Sequence, residues 1–231
     1  MSLPIFFHDE AINGEFMTLN EDASKHIVQV LRMKEGEALH LTDGRGNLFT
    51  TVVADAHKKR CSVRISESSY KPQKDKQVSI AISLLKNASR FEWFLEKATE
   101  IGVTSIIPLL CHRTEKQHFR YERMKQIVVS AMMQSQQVWL PVLHQPVAFK
   151  EAIESSDFSE KLVAHCEDEQ KHHVRDFHAA SSVQILIGPE GDFTKEEIAL
   201  ALEHNYKPVT LGDTRLRAET AGVVAASLLC V

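Results

Sequence analysis

The sequence predicts an α/β chain in two parts, a small β-barrel module followed by a mostly parallel sheet with helices on both faces. Three observations predict it. Residues 5–66 carry short alternating strands and one helix, residues 67–77 are polar and aperiodic, and beyond them near-continuous apolar runs take turns with amphipathic helices. At 231 residues the chain is long enough for one large or two small domains with a real core. Its composition, 43% hydrophobic and 25% charged with 9 Gly and 7 Pro, excludes disordered, collagen-like and low-complexity classes.

In the first part, period-two alternation predicts strands at Ile5 to Phe7, Glu15 to Leu19, Glu37 to Thr42, Leu48 to Ala54 and Cys61 to Ser66. A helix is predicted from Glu21 to Arg32. Asp43-Gly44-Arg45-Gly46-Asn47 reads as a hairpin loop, because Gly and Asn tolerate the positive φ of tight turns. The stretch ESSYKPQKDKQ contains Pro72 and the linker, set at 71–77, which divides the chain into domains 1–70 and 78–231.

In the second part, VSIAISLL (78–85) and VTSIIPLL (103–110) have the pattern of strands buried on both faces. Between them Ser89 and Glu92 suggest a capping box, and Phe91, Phe94, Leu95, Ala98 and Ile101 form one helical stripe. Gly102 suits a left-handed C-terminal position. A helix from Tyr121 to Val138 follows, then strands at Lys161 to His165, Val183 to Ile187 and Val209 to Leu211, the last two each followed by a helix. Such alternation alone predicts an unknotted doubly wound sheet, with ligands at the carboxyl ends of its strands.

Charge and special residues narrow the classes further. The net charge of −4 argues against indiscriminate coating of nucleic acid, yet residues 76–150 hold ten basic against five acidic residues, and 151–231 seven against fifteen. A local polyanion-binding face is compatible with that asymmetry. Cys61, Cys111, Cys166 and Cys230 are too far apart for a Cys-x-x-Cys pair and read as reduced and structural. No apolar run approaches the ~20 residues of a membrane span, and MSLPIFFHDE lacks a signal-like pattern, so the cytoplasm is the expected location. His172, His173 and His178 have no Cys or carboxylate pattern to complete a metal site and read as a solvated loop.

Two loops carry the candidate chemistry. QILIGPEGDFTKEE (184–197) runs from strand through a tight loop to a helix capped by Thr194 and Glu197. Gly188 and Gly191 permit close backbone approach to a ligand. The phosphate-binding patterns GxxxxGK[ST] and GxGxxG are both absent; instead Glu190 and Asp192 stand here and Asp213 in the next loop. Carboxylates repel phosphate but suit hydroxyls and cations, the character of S-adenosylmethionine. PVTLGDTRLRAETAG (208–222) repeats the strand–turn–helix layout and brings Arg215 and Arg217 to a strand end, where they form surface ion pairs or stabilise charge on a substrate. The final helix, AGVVAASLLCV, is nearly all apolar and needs a cover, a sheet face or a second subunit.

GPEGDFT and LGDTRLRAETA, in that order near the C-terminal end, resemble the knotted SPOUT-class RNA methyltransferases, and most of all the ribosomal RNA small subunit uridine N3-methyltransferase (RsmE) family. Upstream, HIVQVLRMKEGEALHLTDGRG (26–46) resembles that family's PUA-like RNA-binding module, and LLKNASRFEWFLEKATEIGVTSIIPL (84–109) resembles the first strand-helix-strand of its catalytic domain. The chain departs from the family's pattern in the arginine-free start MSLPIFFHDE, at Met133, Gln134, Ser135 and Gln137, and at Thr214, with Arg215 one place later than is common.

The resemblance implies a PUA-like β-barrel followed by a SPOUT α/β domain with a C-terminal trefoil knot. It also implies a homodimer, with S-adenosylmethionine as methyl donor and a uridine of 16S ribosomal RNA in the small subunit as substrate. By position, the donor would be held by Ile187, Gly188, Pro189, Glu190 and Gly191, then by Leu211, Gly212, Arg215, Leu216 and Arg217. Arg217 would stabilise the uracil anion formed when N3 loses its proton. Glu219 would accept that proton, orient the arginine, or serve only as a carboxylate favoured at a helix N-terminus. Arg32, Lys86 and Arg90 match basic positions of the family and would contact RNA. HRTEKQHFRYERMK (112–125) adds charge, with Phe119 and Tyr121 available to stack. The competing readings are a SPOUT enzyme acting on a ribose 2′-hydroxyl and a noncatalytic dimeric RNA-binding protein.

Overall fold

The computed structural model describes residues 3–10, 14–168 and 170–231. The chain forms two compact units. One runs to Gln73 and also takes in 132–140; the other comprises 74–131 and 141–231. The segment 132–140 thus joins a unit that the sequence reading ended at residue 70.

The first unit is built from β1 (Ile5–Phe7), β2 (Phe16–Thr18), α1 (Glu21–Lys25), β3 (Ala38–Thr42), β4 (Asn47–Asp55) and β5 (Ser62–Tyr70). Its sheet has the order β1-β3-β4-β5-β2, with β1 parallel to β3 and the remaining pairs antiparallel. Phe6, Ile27, Leu39, Leu41, Val53 and Val63 supply the core. The β3–β4 turn falls on the two glycines, Gly44 at φ 69° and Gly46 at φ 95°. A Cβ on Gly46 would stand 2.7 Å from Lys71 O and from the Trp139 ring, so glycine is required for this approach. Trp139 Nε1 donates to Lys71 O at 2.8 Å and Leu140 N to Gly44 O at 2.9 Å, which fastens 132–140 to the turn.

The predicted helix of residues 21–32 is α-helical only to Lys25 and widens into a π turn over His26–Val30. Ile27, Val28 and Val30 are β-branched and lower helix propensity there. Arg32, at φ 57°, leaves the helical region altogether. Strand β5 also extends four residues past Ser66, into the polar stretch.

The second unit contains β6 (Gln77–Ser83), α2 (Ala88–Ile101), β7 (Ser105–Leu110), α3 (Tyr121–Gln134, whose last turn lies in the first unit), β8 (Val142–Leu143), β9 (Val147–Ala148), α4 (Phe149–Glu154), β10 (Glu160–Ala164), β11 (His172–His173), β12 (Ser182–Ile187), α5 (Lys195–Glu203), β13 (Lys207–Thr210) and α6 (Ala218–Cys230). The sheet order is β11-β13-β10-β12-β6-β7-β8, with β9 also on β7, and every pair is parallel. Ile80, Ala81, Ile82, Ile185 and Leu186 are fully buried, as their continuous apolar runs require.

Two boundaries differ from expectation. Asn87, not Ser89, caps α2: its side chain accepts from Ser89 N at 2.9 Å, while Glu92 is held by Arg123 through Nε at 2.5 Å and Nη2 at 2.8 Å. That guanidinium keeps the Glu92 carboxyl below its ordinary pKa. Helix α3 stops at Gln134 rather than Val138, because Gln136 turns left-handed at φ 57°. Gly102 does end α2, at φ 102°. Helix α6 buries Ala221, Gly222, Ala225, Ala226 and Leu229 and packs against α2 and β6, which supplies a sheet-face cover for part of it. No helix of the described residues is long and apolar enough to cross a membrane.

Candidate functional site

Strand β10 lies between β12 and β13, with Ala164 level with Ile187 on one side and Val209 on the other. Three loops therefore leave the sheet side by side at its carboxyl edge, where parallel sheets leave room for ligands. They enclose a cavity of about 520 Å³, lined by 164–166 and Lys171, by 187–190 and Asp192, and by 209–218, with Ala221 behind. Such a volume falls in the range of small-molecule sites.

The two loops singled out in the sequence meet here. Ile187, Gly188, Pro189 and Glu190 line the cavity, and so do Leu211, Gly212, Arg215, Leu216 and Arg217. Gly212, at φ 144°, faces open space: a Cβ there would meet no atom within 4 Å. Gly191 is not part of the lining. Its carbonyl accepts from Arg113 Nη1 at 2.5 Å, and a Cβ on Gly191 would lie 3.3 Å from Arg113 Cδ. The predicted Thr194–Glu197 capping box is formed, and Glu197 Oε1 also accepts from His112 N at 2.8 Å. Loop 188–193 is thus tied down from the β7 side.

Arg217 stands at the N-cap position of α6, with no side-chain cap bond. Its charge adds to the positive end of the helix at the cavity wall. Glu219, two residues on, is not in the lining; it is 7% exposed, its Oε1 lies 3.6 Å from Arg90 Nε, and its Oε2 has no hydrogen-bond partner among the described residues. The structure therefore joins two residues that the sequence reading gave separate roles. Lys86 donates its backbone N–H to Glu190 Oε1 at 3.2 Å, while its ammonium pairs with Glu115 at 2.7 Å and is held above its ordinary pKa by that bond. Arg32 is exposed in the first unit. Phe119 packs edge-on against Phe91 at 6.0 Å and beside Tyr121 at 6.4 Å, so these rings contact protein.

Sequence reasoning missed the third loop. Cys166 and Lys171 line the cavity, although HCEDEQK carries no glycine and no motif. Lys171 Nζ folds back to His165 O at 2.8 Å and Glu167 O at 2.5 Å. Asp192 accepts from Cys166 N at 2.7 Å through Oδ2 and from Phe193 N at 2.8 Å through Oδ1. Partial desolvation first, then the Asp192 carboxylate, push the Cys166 thiol above its ordinary pKa, against the pull of Arg215. His173 caps a short turn by accepting from Arg175 N at 3.1 Å, and no group of three or more His, Cys, Asp or Glu among the described residues could hold a metal ion.

The cavity combines carboxylates at Glu190, Asp192 and Asp213 with cations at Lys171, Arg215 and Arg217, and includes Gly188 and Gly212 in its wall. Carboxylates suit ribose hydroxyls and positive groups, and the arginines suit an anion forming beside them. These residues fit a nucleoside-sized cationic ligand better than a polyphosphate.

Comparison with known proteins adds independent findings. A family profile described as RNA methyltransferase domain matches residues 72–230, and one described as RNA methyltransferase PUA domain matches 19–66. A curated relative from Synechocystis, "Ribosomal RNA small subunit methyltransferase E", is 31% identical across 94% of this chain and 73% of its own length. A solved "probable rRNA-methyltransferase" from Porphyromonas gingivalis superposes with a TM-score of 0.91 at 35% identity, covering 99% of this chain and 98% of that one. A ribosomal RNA small subunit methyltransferase E from Neisseria gonorrhoeae, bound to S-adenosyl methionine, superposes with a TM-score of 0.88 at 27% identity, covering 98% and 96%.

Proposed function

The chain belongs to the RNA methyltransferase domain family, and from that premise we infer that it methylates N3 of a uridine in the 16S RNA of the small ribosomal subunit, with S-adenosylmethionine as donor. The observation that carries this reading is the cavity at the ends of β10, β12 and β13, into which both glycine-bearing loops project. The competing readings are less favoured. A binding-only protein has no need of such a cavity, and the relatives are named for small-subunit ribosomal RNA.

S-adenosylmethionine supplies an electrophilic methyl group on a sulfonium. In-line transfer needs alignment, and the three loops, anchored on adjacent parallel strands, hold one wall each of the donor site. As N3 loses its proton, negative charge spreads to the flanking carbonyl oxygens. In this reading Arg217, which lines the cavity at the positive end of α6, stabilises that charge. Glu219 acts behind it as an orienting carboxylate paired with Arg90. Arg32 and Lys86 serve as RNA contacts, and Arg90 meets RNA with the part of its guanidinium left exposed.

Finer features belong to the same proposal. Strand β13 lies beyond β10, yet α6, which follows it, packs back on α2, β6 and β12. That return supports a C-terminal trefoil knot. The first unit acts as a PUA-like barrel presenting RNA. Val223, Val224 and Leu228 stay only half-buried on α6, which supports a homodimer closing over that face. The expected place of action is the cytoplasm.

The test is mass spectrometry of 16S RNA from cells with and without the gene. N3-methyluridine at one position disappears on deletion and returns with the intact gene. A mark that persists, or one found on a ribose, contradicts the reading.

A further inference from the structure

We propose that Asp192 is a positioning residue for the donor site, its carboxylate stapling the loop after β10 onto the loop after β12 and so setting the width of the cavity between them. The inference rests on the reading of this cavity as a donor site. Asp192 has φ 64°, in the left-handed region that glycine adopts freely and other residues occupy at a cost. The backbone at this point would accept glycine; what aspartate adds is two acceptor oxygens. Both are used: Oδ2 accepts from Cys166 N at 2.7 Å across 26 residues of sequence, and Oδ1 accepts from Phe193 N at 2.8 Å.

The staple sits where it matters for shape. Ala164 and Ile187 end β10 and β12 in direct register, and beyond them both chains are loops, no longer held by the ladder. Asp192 N–H donates to Pro189 O at 2.9 Å, closing the turn that aims the carboxylate at Cys166. A Cβ on Gly188 would stand 3.1 Å from Phe193 N and 3.3 Å from Asp192 Oδ1, so the turn is already tightly packed. Arg113 holds Gly191 O and Phe193 O on the far side. With the loop fixed there, the Asp192–Cys166 bond restrains the β10 loop at the cavity wall, while Lys195 Nζ reaches Glu167 Oε2 only at 4.0 Å farther along it. Cys166 and Asp192 are themselves cavity wall.

The experiment compares Asp192→Gly and Asp192→Asn with the unaltered full chain. Glycine fits the left-handed backbone and removes the staple; asparagine tolerates that backbone and keeps one acceptor oxygen. Calorimetry with S-adenosylhomocysteine should show affinity weakened about tenfold in Asp192→Gly and about threefold in Asp192→Asn, the scale of a lost charge-assisted hydrogen bond. On 16S RNA the loss should appear as a rise in KM for the donor. The melting temperature of Asp192→Gly should not drop. Equal affinities for the unaltered chain and Asp192→Gly would overturn this inference alone. So would a fall in turnover with unchanged KM, or weakened binding that merely tracks a lowered melting temperature. No heat from the unaltered chain would remove the donor-site reading, and this inference with it.

Discussion

Arg90 Nε lies 3.6 Å from Glu219 Oε1, joining the first turn of α2 to the first turn of α6. Glu219 is 7% exposed and its second oxygen has no hydrogen-bond partner among the described residues, so Arg90 carries the compensation for a buried carboxylate. Removing one member of such a pair leaves the other uncompensated, which costs more than removing both. Arg90→Met should therefore destabilise the fold by about 2 kcal/mol, and adding Glu219→Gln should recover part of the loss. Urea unfolding of the two single variants and the double variant measures the coupling.

Arg217 faces the cavity from the N-cap of α6 and makes no hydrogen bond or ion pair to another described side chain. Arg217→Ala should lower turnover by about 10²-fold or more, the scale of one lost electrostatic donor. Affinity for S-adenosylhomocysteine should change far less. Single-turnover methylation together with calorimetry separates the two effects.

Gly222 lets α6 approach α2 closely. A Cβ there would stand 2.6 Å from Phe94 Cε2 and 3.1 Å from Ile82 Cδ1, and Phe94 is fully buried. Gly222→Ala gains up to about 1 kcal/mol of helix propensity but overpacks this contact. A net destabilisation of about 1–2 kcal/mol is expected in denaturant melts.

The thiol of Cys166 is raised by partial desolvation and by the Asp192 carboxylate. Thiolate is the reactive form, so a raised pKa means less of it at neutral pH. Alkylation at Cys166 should be slow near pH 7 and rise about tenfold per pH unit into a range above that of an ordinary thiol. Asp192→Asn should speed it at pH 8, and saturating S-adenosylhomocysteine should slow it. Mass spectrometry of the Cys166 peptide reads all three effects.

Most of the architecture was legible because its signals are local. Continuous apolar runs mark β6 and β7, and the glycine pair at 44 and 46 marks the β3–β4 turn. Both glycine-bearing loops of the site announced themselves in the same way. What stayed hidden depends on distant partners. Cys166 belongs to the site only because β10 lies between β12 and β13, an order that no local pattern encodes. Gly191 resembles Gly188 in sequence, but Arg113, 78 residues away, claims it. Glu92 looks like a capping residue until Arg123 takes it. Val138, Trp139 and Leu140 continue the apolar pattern of α3, yet Trp139 answers to Gly46 and Lys71, distant in sequence but in the same unit of the chain.

The most direct test is a crystal structure of the chain with S-adenosylhomocysteine. The account predicts its adenosyl group inside the cavity, against backbone of 187–190 and 211–217, with the sulfur toward Arg217. A ligand seated elsewhere, with these three loops unengaged, would contradict it.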